Sequence, residues 1–262
     1  TAADIEQRLS ISTLVFNGHR PLSESALAAL TAHGIRRIEL LESPDQYDMT
    51  DMASMRLIGA MLDDAGIELA AYHCHRTNFD DVASASNRQE RVDTCRRQLD
   101  TMLELGGTVW GCHAQEGNEV VAASYGDLSR HVSGTPAWVC VENFTRPGVA
   151  LEDRVALLDR LAMPQMGMIL DIGHVRDAAG RNPMTLAGGP TGVVALCGRH
   201  LRHLHLHGFK DGRDHHAPLC PGDGIQWYEL FGQLCSIAYP GVFNFEPANE
   251  RRNPDVLGYT GR

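Results

Sequence analysis

The stretch Gly59–His75, GAMLDDAGIELAAYHCH, decides the fold. Its first half repeats apolar residues at helical spacing, the pattern breaks at Gly66, and an apolar run follows that reaches His73. A helix that stops at a glycine able to take φ > 0, joined directly to a buried strand, is half of a βα repeat. The phrase recurs at residues 27–40, LAALTAHGIRRIEL, and at residues 99–113, LDTMLELGGTVWGCH, with Gly34 and Gly106 at the breaks. Ser23 stands where the first of these helices needs an N-cap, with Leu27 and Leu30 on its buried side.

Outward from that phrase, strands are expected near residues 11–16, 37–41, 68–75, 108–113, 137–143, 166–171, 201–207 and 242–246. They are mostly apolar rather than alternating, so both faces must be covered. Eight such strands with helices between them make one α/β domain over residues 1–262. The expected architecture is a (β/α)8 TIM barrel, a fold of about 250 residues. The chain ends soon after the last strand, so a short or missing final helix is expected, or a wall covered by another subunit.

His73, His113, Glu142, Asp171, His205 and Glu246 each close an apolar run, and they recur roughly every 30 to 40 residues, about one βα unit. All strand C-termini of such a barrel open on one face, so these side chains converge there. Imidazoles and carboxylates suit Zn, Mn, Fe or Co rather than soft, thiolate-loving metals. His203, His205 and His207 alternate and share a side of one strand, and His203 is expected deeper in the barrel core. His75 rivals His73, while His19, His33, His131 and His200 are expected in solvent.

Net charge is −10, and Lys210 is the only lysine. An acidic chain without a basic run is a poor partner for nucleic acid. No stretch is long and apolar enough to span a membrane, and no signal peptide precedes Thr1. The seven cysteines show no paired spacing. Reduced, buried thiols and a cytoplasmic protein are expected, with Cys74, Cys112 and Cys140 at positions alternate to the strand-end ligands.

AYHCH at 71–75 with DDVAS at 80–84, VCVENF at 139–144, ILDIGH at 169–174, HLHLHG at 203–208, DHHAPLCPGDGIQW at 214–227 and FNFEP at 243–247 then stand in a telling order. Over nearly the whole chain these phrases resemble the xylose isomerase-like TIM barrel superfamily, which includes sugar isomerases and epimerases and endonuclease IV. The resemblance implies one divalent metal (Mn, Co, Mg or Fe) held by Glu142, Asp171, His205 and Glu246. Glu142 and Glu246 would also exchange a proton with a small polyhydroxylated substrate through an enediolate. His73, His113, His174, His207, Asp214 and His216 would bind further metal or substrate. The expected activity is a sugar, keto-sugar or cyclitol isomerase or epimerase of carbohydrate metabolism, as a homo- or hetero-oligomer.

Two other readings stand beside it. The nine positions His73, His113, Glu142, Asp171, His174, His205, Asp214, His216 and Glu246 match the complement of the trizinc endonuclease, for which the metal would be Zn. A metal-binding barrel subunit of a hetero-oligomeric lyase is the other. Gly208 stands where relatives carry an acidic residue, and Asp223 where they carry Glu. Phe16 and Asn17 are expected to end the first strand. Trp110, Phe144, Phe209 and Trp227 are candidate pocket walls, with core packing favoured for Trp110 and Trp138. Lys210 is expected at the surface.

Overall fold

The apolar runs become strands almost residue for residue in the computed structural model. It describes residues 5–17, 20–44, 46–74, 87–113, 119–143, 150–177, 179–210, 213–219, 222 and 224–248. The strands are β1 (Leu9–Ser12), β2 (Arg37–Leu41), β3 (Glu68–Cys74), β4 (Val109–His113) and β5 (Trp138–Glu142). They continue with β6 (Met166–Asp171), β7 (Leu201–His205), β8 (Gly208–Lys210), β9 (Arg213–Ala217) and β10 (Phe243–Phe245). Helices α1 (Glu24–Ala32), α2 (Met52–Ala65), α3 (Arg88–Glu104), α4 (Glu119–His131), α5 (Leu151–Leu161), α6 (Gly189–Cys197) and α7 (Trp227–Ser236) lie between them.

Eight strands form one parallel sheet in the order β10-β1-β2-β3-β4-β5-β6-β7. The ring closes where Leu206 bridges Phe245, and the Leu206 amide donates to Asn244 O at 2.9 Å. The chain is therefore a (β/α)8 barrel. The helix ends behave as the glycines require: Gly34, Gly66 and Gly106 all have positive φ, with Gly66 at 63° as the left-handed cap of α2. A side chain at Gly66 would meet open space, so its cost there is backbone strain of about 1 kcal/mol. Ser23 caps α1, accepting from the Ala26 amide at 3.4 Å, and Ala26, Leu27 and Leu30 are buried.

Two cores result. The larger packs the outer strand faces against the helices and includes Ile38, Tyr72, Cys74, Trp110, Cys112 and Leu170. The smaller is Ala71, Val109, Cys140 and Ile169, the residues two before His73, four before His113, two before Glu142 and two before Asp171. It floors the barrel beneath the strand ends. The floor is tight: a Cβ at Gly111 would lie 2.1 Å from Ile169 Cδ1.

Four expectations need correction. The first strand lies at Leu9–Ser12, not 11–16: Ser12 caps a 3-10 turn over Thr13–Phe16, which carries Phe16 and Asn17 past the strand end. Cys140 shares the inward face of Glu142, because two residues along a strand restore the side. The stretch after His207 holds an antiparallel hairpin of β8 and β9 rather than loop alone. Trp227, a candidate pocket wall, instead stacks on Phe231 along α7, whereas Trp110 packs in the outer core as favoured, its Nε1 donating to Gln98 Oε1 at 3.3 Å. His131 and His200 lie against Asp100 and Asp159 on the surface. His19, His75, Phe144, Asp223 and the segment after Ala248 lie outside the described residues, as do the side chains of Lys210, Asp214 and His215. Among the described residues, no helix is long and apolar enough to cross a membrane.

Candidate metal centre

Strand register sets the candidate ligands side by side. His113 is the partner of Glu142 across β4 and β5, and Asp171 is the partner of His205 across β6 and β7. Glu246 follows β10 directly, and its amide donates to Leu206 O at 2.9 Å. Glu142, Asp171, His205 and Glu246 are all buried.

His205 Nδ1 is the point on which they converge. It lies 3.5 Å from Glu142 Oε2, 3.8 Å from Asp171 Oδ2 and 3.4 Å from Glu246 Oε2. Donor atoms bonded to one divalent ion at about 2.1 Å stand roughly 3.0 to 3.5 Å apart. The Glu142 and Glu246 spacings reach that range, Asp171 lies just beyond it, and Glu246 groups with His205, His73 and Glu39 rather than with Glu142 and Asp171. Neither His205 Nδ1 nor Glu142 Oε2 meets a partner with hydrogen-bond geometry among the described residues. The donor set, two or more carboxylates around one imidazole nitrogen, fits a metal.

Asp171 is held from behind. Its Oδ1 accepts from the amides of Gly173 at 2.7 Å and His174 at 3.0 Å, which leaves Oδ2 facing the centre. Asn143 locks the backbone there, donating from Nδ2 to Asp171 O and accepting from Asp171 N, both at 2.8 Å. The Asp that caps this turn and the candidate ligand are thus the same residue.

The other histidines surround this core. His73 Nε2 is 2.9 Å and His113 Nε2 3.2 Å from Glu142 Oε2, and His73 Nδ1 is 3.4 Å from Glu246 Oε1. His174 Nδ1 is 3.1 Å from Glu142 Oε1. His207 Nε2 is 3.1 Å from Asp171 Oδ1, and its ring stacks on His216 at 4.2 Å. His216 Nδ1 is 2.9 Å from Glu246 O. Besides Glu142–Asp171–His205, the groups His73–His113–Glu142 and Asp171–His207–His216 have ligand atoms within 4.8 Å of one another.

Sequence reasoning missed Glu39. It is fully buried on β2, with Oε2 2.9 Å from His203 Nε2 and 3.0 Å from His205 Nε2. The available signal was an acidic residue inside the apolar run Ile38–Leu41. His203 lies deep in the barrel, but it is tied to this carboxylate rather than packed only by apolar neighbours.

Electrostatics follow from four buried carboxylates among imidazoles. Burial raises the Glu142 pKa, but the charges of His113, His205 and His73 outweigh it and hold the group well below the carboxylate range. For Asp171, burial is outweighed by His174 and His207, leaving it at about 2. Burial disfavours His73 as a cation, yet Glu142 pushes its pKa up to about 10. His205 rises for the same reason, with Glu246 as the largest opposing influence to burial.

Residues 27–259 match the family model of the xylose isomerase-like TIM barrel. No curated protein matches the sequence. Several solved structures are similar in fold. D-psicose 3-epimerase from Clostridium cellulolyticum H10 matches with a TM-score of 0.70 at 15% identity, over 92% of this chain and 85% of that one. The 3-keto-D-glucoside 4-epimerase YcjR from E. coli matches at 0.73 and 13%, over 97% and 98%. A D-tagatose 3-epimerase-like protein matches at 0.71 and 18%, over 97% and 96%.

Proposed function

The chain belongs to the xylose isomerase-like TIM barrel family, and from that premise we propose a single-domain, divalent-metal-dependent isomerase or epimerase of a sugar, keto-sugar or cyclitol. The observation that carries the reading is the convergence of Glu142, Asp171 and Glu246 on Nδ1 of His205. Mn, Co, Mg or Fe bound there would supply Lewis-acid polarisation of adjacent hydroxyl and carbonyl oxygens.

The chain's own groups do the rest. Glu142 and Glu246 remain ionised in spite of burial, so each is able to accept a proton from carbon. One carboxylate removes the proton α to the carbonyl. In an epimerase the other, once it has taken up a proton from solvent, delivers it to the opposite face of the same carbon, and the first then releases its proton to solvent. In an isomerase the proton goes back to the neighbouring carbon. His174, beside Glu142 and Asp171, and the stacked pair His207–His216 are placed to donate to substrate hydroxyls. Asp171 holds its position through Asn143 and the turn amides and stays out of the proton transfer. The six described cysteines are free, which agrees with a reducing, cytoplasmic setting.

The test is solvent exchange. Metal-loaded protein incubated with a panel of ketohexoses and cyclitol ketones in D2O should incorporate deuterium at the carbon next to the carbonyl and yield an epimer or isomer. A panel without exchange would overturn the reading. A second reading, three-zinc phosphodiester hydrolysis, draws on the two flanking ligand groups. Two or three Zn per chain together with cleavage at abasic sites in DNA would establish it, against the chain's net charge of −10.

A further inference from the structure

A histidine can bind an ion through either nitrogen, and what the other nitrogen touches decides which. His205 Nε2 is 3.0 Å from Glu39 Oε2, and the same oxygen is 2.9 Å from His203 Nε2. The second oxygen, Oε1, accepts from Asn244 Nδ2 at 3.2 Å. An ionised carboxylate has only acceptor sites, so all three groups must present N–H to it. His205 with its proton on Nε2 has its lone pair on Nδ1, the atom that lies among Glu142, Asp171 and Glu246.

We propose that Glu39 is a positioning residue: it fixes His205 as the Nε2–H tautomer, so that the ion is held through Nδ1, and His203 and Asn244 hold Glu39 in turn. The assignment rests on the metal-centre reading above and deepens it. Position supports it, because Glu39 sits on β2 while His203 and His205 sit on β7 and Asn244 on β10, so the contacts cross the barrel interior. A carboxylate behind a ligating imidazole also raises its basicity and fixes its ring orientation.

The competing role for Glu39 is that of a ligand, since Glu39, His73, His205 and Glu246 also bring donor atoms within 4.8 Å. An ion there would use His205 Nε2 and would have to displace the N–H groups now facing Glu39. It would also put the His205 proton on Nδ1, so that this atom would face the three carboxylates as a donor rather than bind an ion with them. The two arrangements need opposite nitrogens of one ring, and that makes them separable.

Long-range ¹H–¹⁵N correlation spectra of Zn²⁺-loaded, ¹⁵N-labelled wild-type protein report which His205 nitrogen carries the proton, the signal being assigned by its loss in His205→Asn. A protonated Nε2 and a zinc-shifted Nδ1 are expected; zinc on Nε2 overturns the assignment. Glu39→Gln keeps the shape but offers one acceptor oxygen to three donors. It should weaken Zn²⁺ binding by about 10- to 100-fold, measured by calorimetry. Circular dichroism should remain that of the wild type. An unchanged Kd in a folded Glu39→Gln protein overturns the assignment alone. Failure of the wild type to bind Zn²⁺, or binding indifferent to Glu142→Gln, removes the metal centre itself and the assignment with it. If Glu39→Gln does not fold, the wild-type spectrum still decides.

Discussion

At the N-terminal end of the barrel, the charges of Arg37 and Arg202 are met close to where they arise. Arg37 pairs with Glu68 at 2.8 Å, and Arg202 stacks on Trp138 at 4.0 Å while donating to Leu201 O at 2.8 Å. At the C-terminal end, Glu142, Asp171 and Glu246, with Glu39 in the layer beneath, are buried with imidazoles, one asparagine and backbone amides as their described partners, and no Arg or Lys among them. A cavity of about 300 Å³ lies at the first end, lined by Arg37, Thr108, Trp138 and Arg202. The candidate metal centre lies at the other. Buried charge, rather than empty volume, distinguishes that candidate site, because buried carboxylates persist only when paired, metal-bound or protonated.

The contrast breaks most visibly at Glu142 and Glu246. Glu142→Gln or Glu246→Gln should lower turnover by about 10³-fold or more while leaving the far-ultraviolet spectrum unchanged. Wild-type rates in either variant would remove the proton-transfer mechanism. Such a loss with intact folding is expected only at the C-terminal end.

A weaker but more general signature is the pH dependence of stability in metal-free protein. Asp171 falls from an ordinary 3.8 to about 2 in the folded state, so its contribution is present above about pH 4 and lost as pH falls through 2. His73 rises from 6.5 to about 10, so its contribution is full below pH 6.5 and lost as pH rises through 10. Urea midpoints should therefore peak between about pH 4 and 6.5 and decline on both sides. A flat profile from pH 6.5 to 10 would show that the imidazole–carboxylate cluster does not stabilise the fold.

The smallest effect belongs to the other end. Arg37→Gln removes a partly exposed ion pair and should change stability by no more than about 0.5 kcal/mol, with catalysis unaffected. A marked loss of activity there would mean that the two ends are energetically coupled.

Legibility in the sequence followed the same division. Helix-to-strand transitions were readable because glycine at a C-cap and unbroken apolar runs are local signals, and β2 and β6 have the expected limits. His73, Glu142, Asp171, His205 and Glu246 were readable as a convergent set because each ends its run. Glu39 was not, since a single acid inside a strand has no local feature that reveals a partner on β7, more than 160 residues away. The hairpin of β8 and β9 was also hidden, because its short polar strands look like loop. The end of β1 was misplaced, since Ser12 turns the chain into a 3-10 helix while the residues remain apolar.

Sequence alone determined the repeat, the parallel sheet and the chemical types gathered at one face, because periodicity and residue chemistry are carried within each βα unit. Tertiary structure decided which atoms meet: that His205 turns Nδ1 to three carboxylates and Nε2 to Glu39, that Asn143 pins Asp171, and that His203 bonds to the same buried carboxylate as His205. Those outcomes depend on strand register and ring closure, which bring residues from distant repeats within about 3 Å.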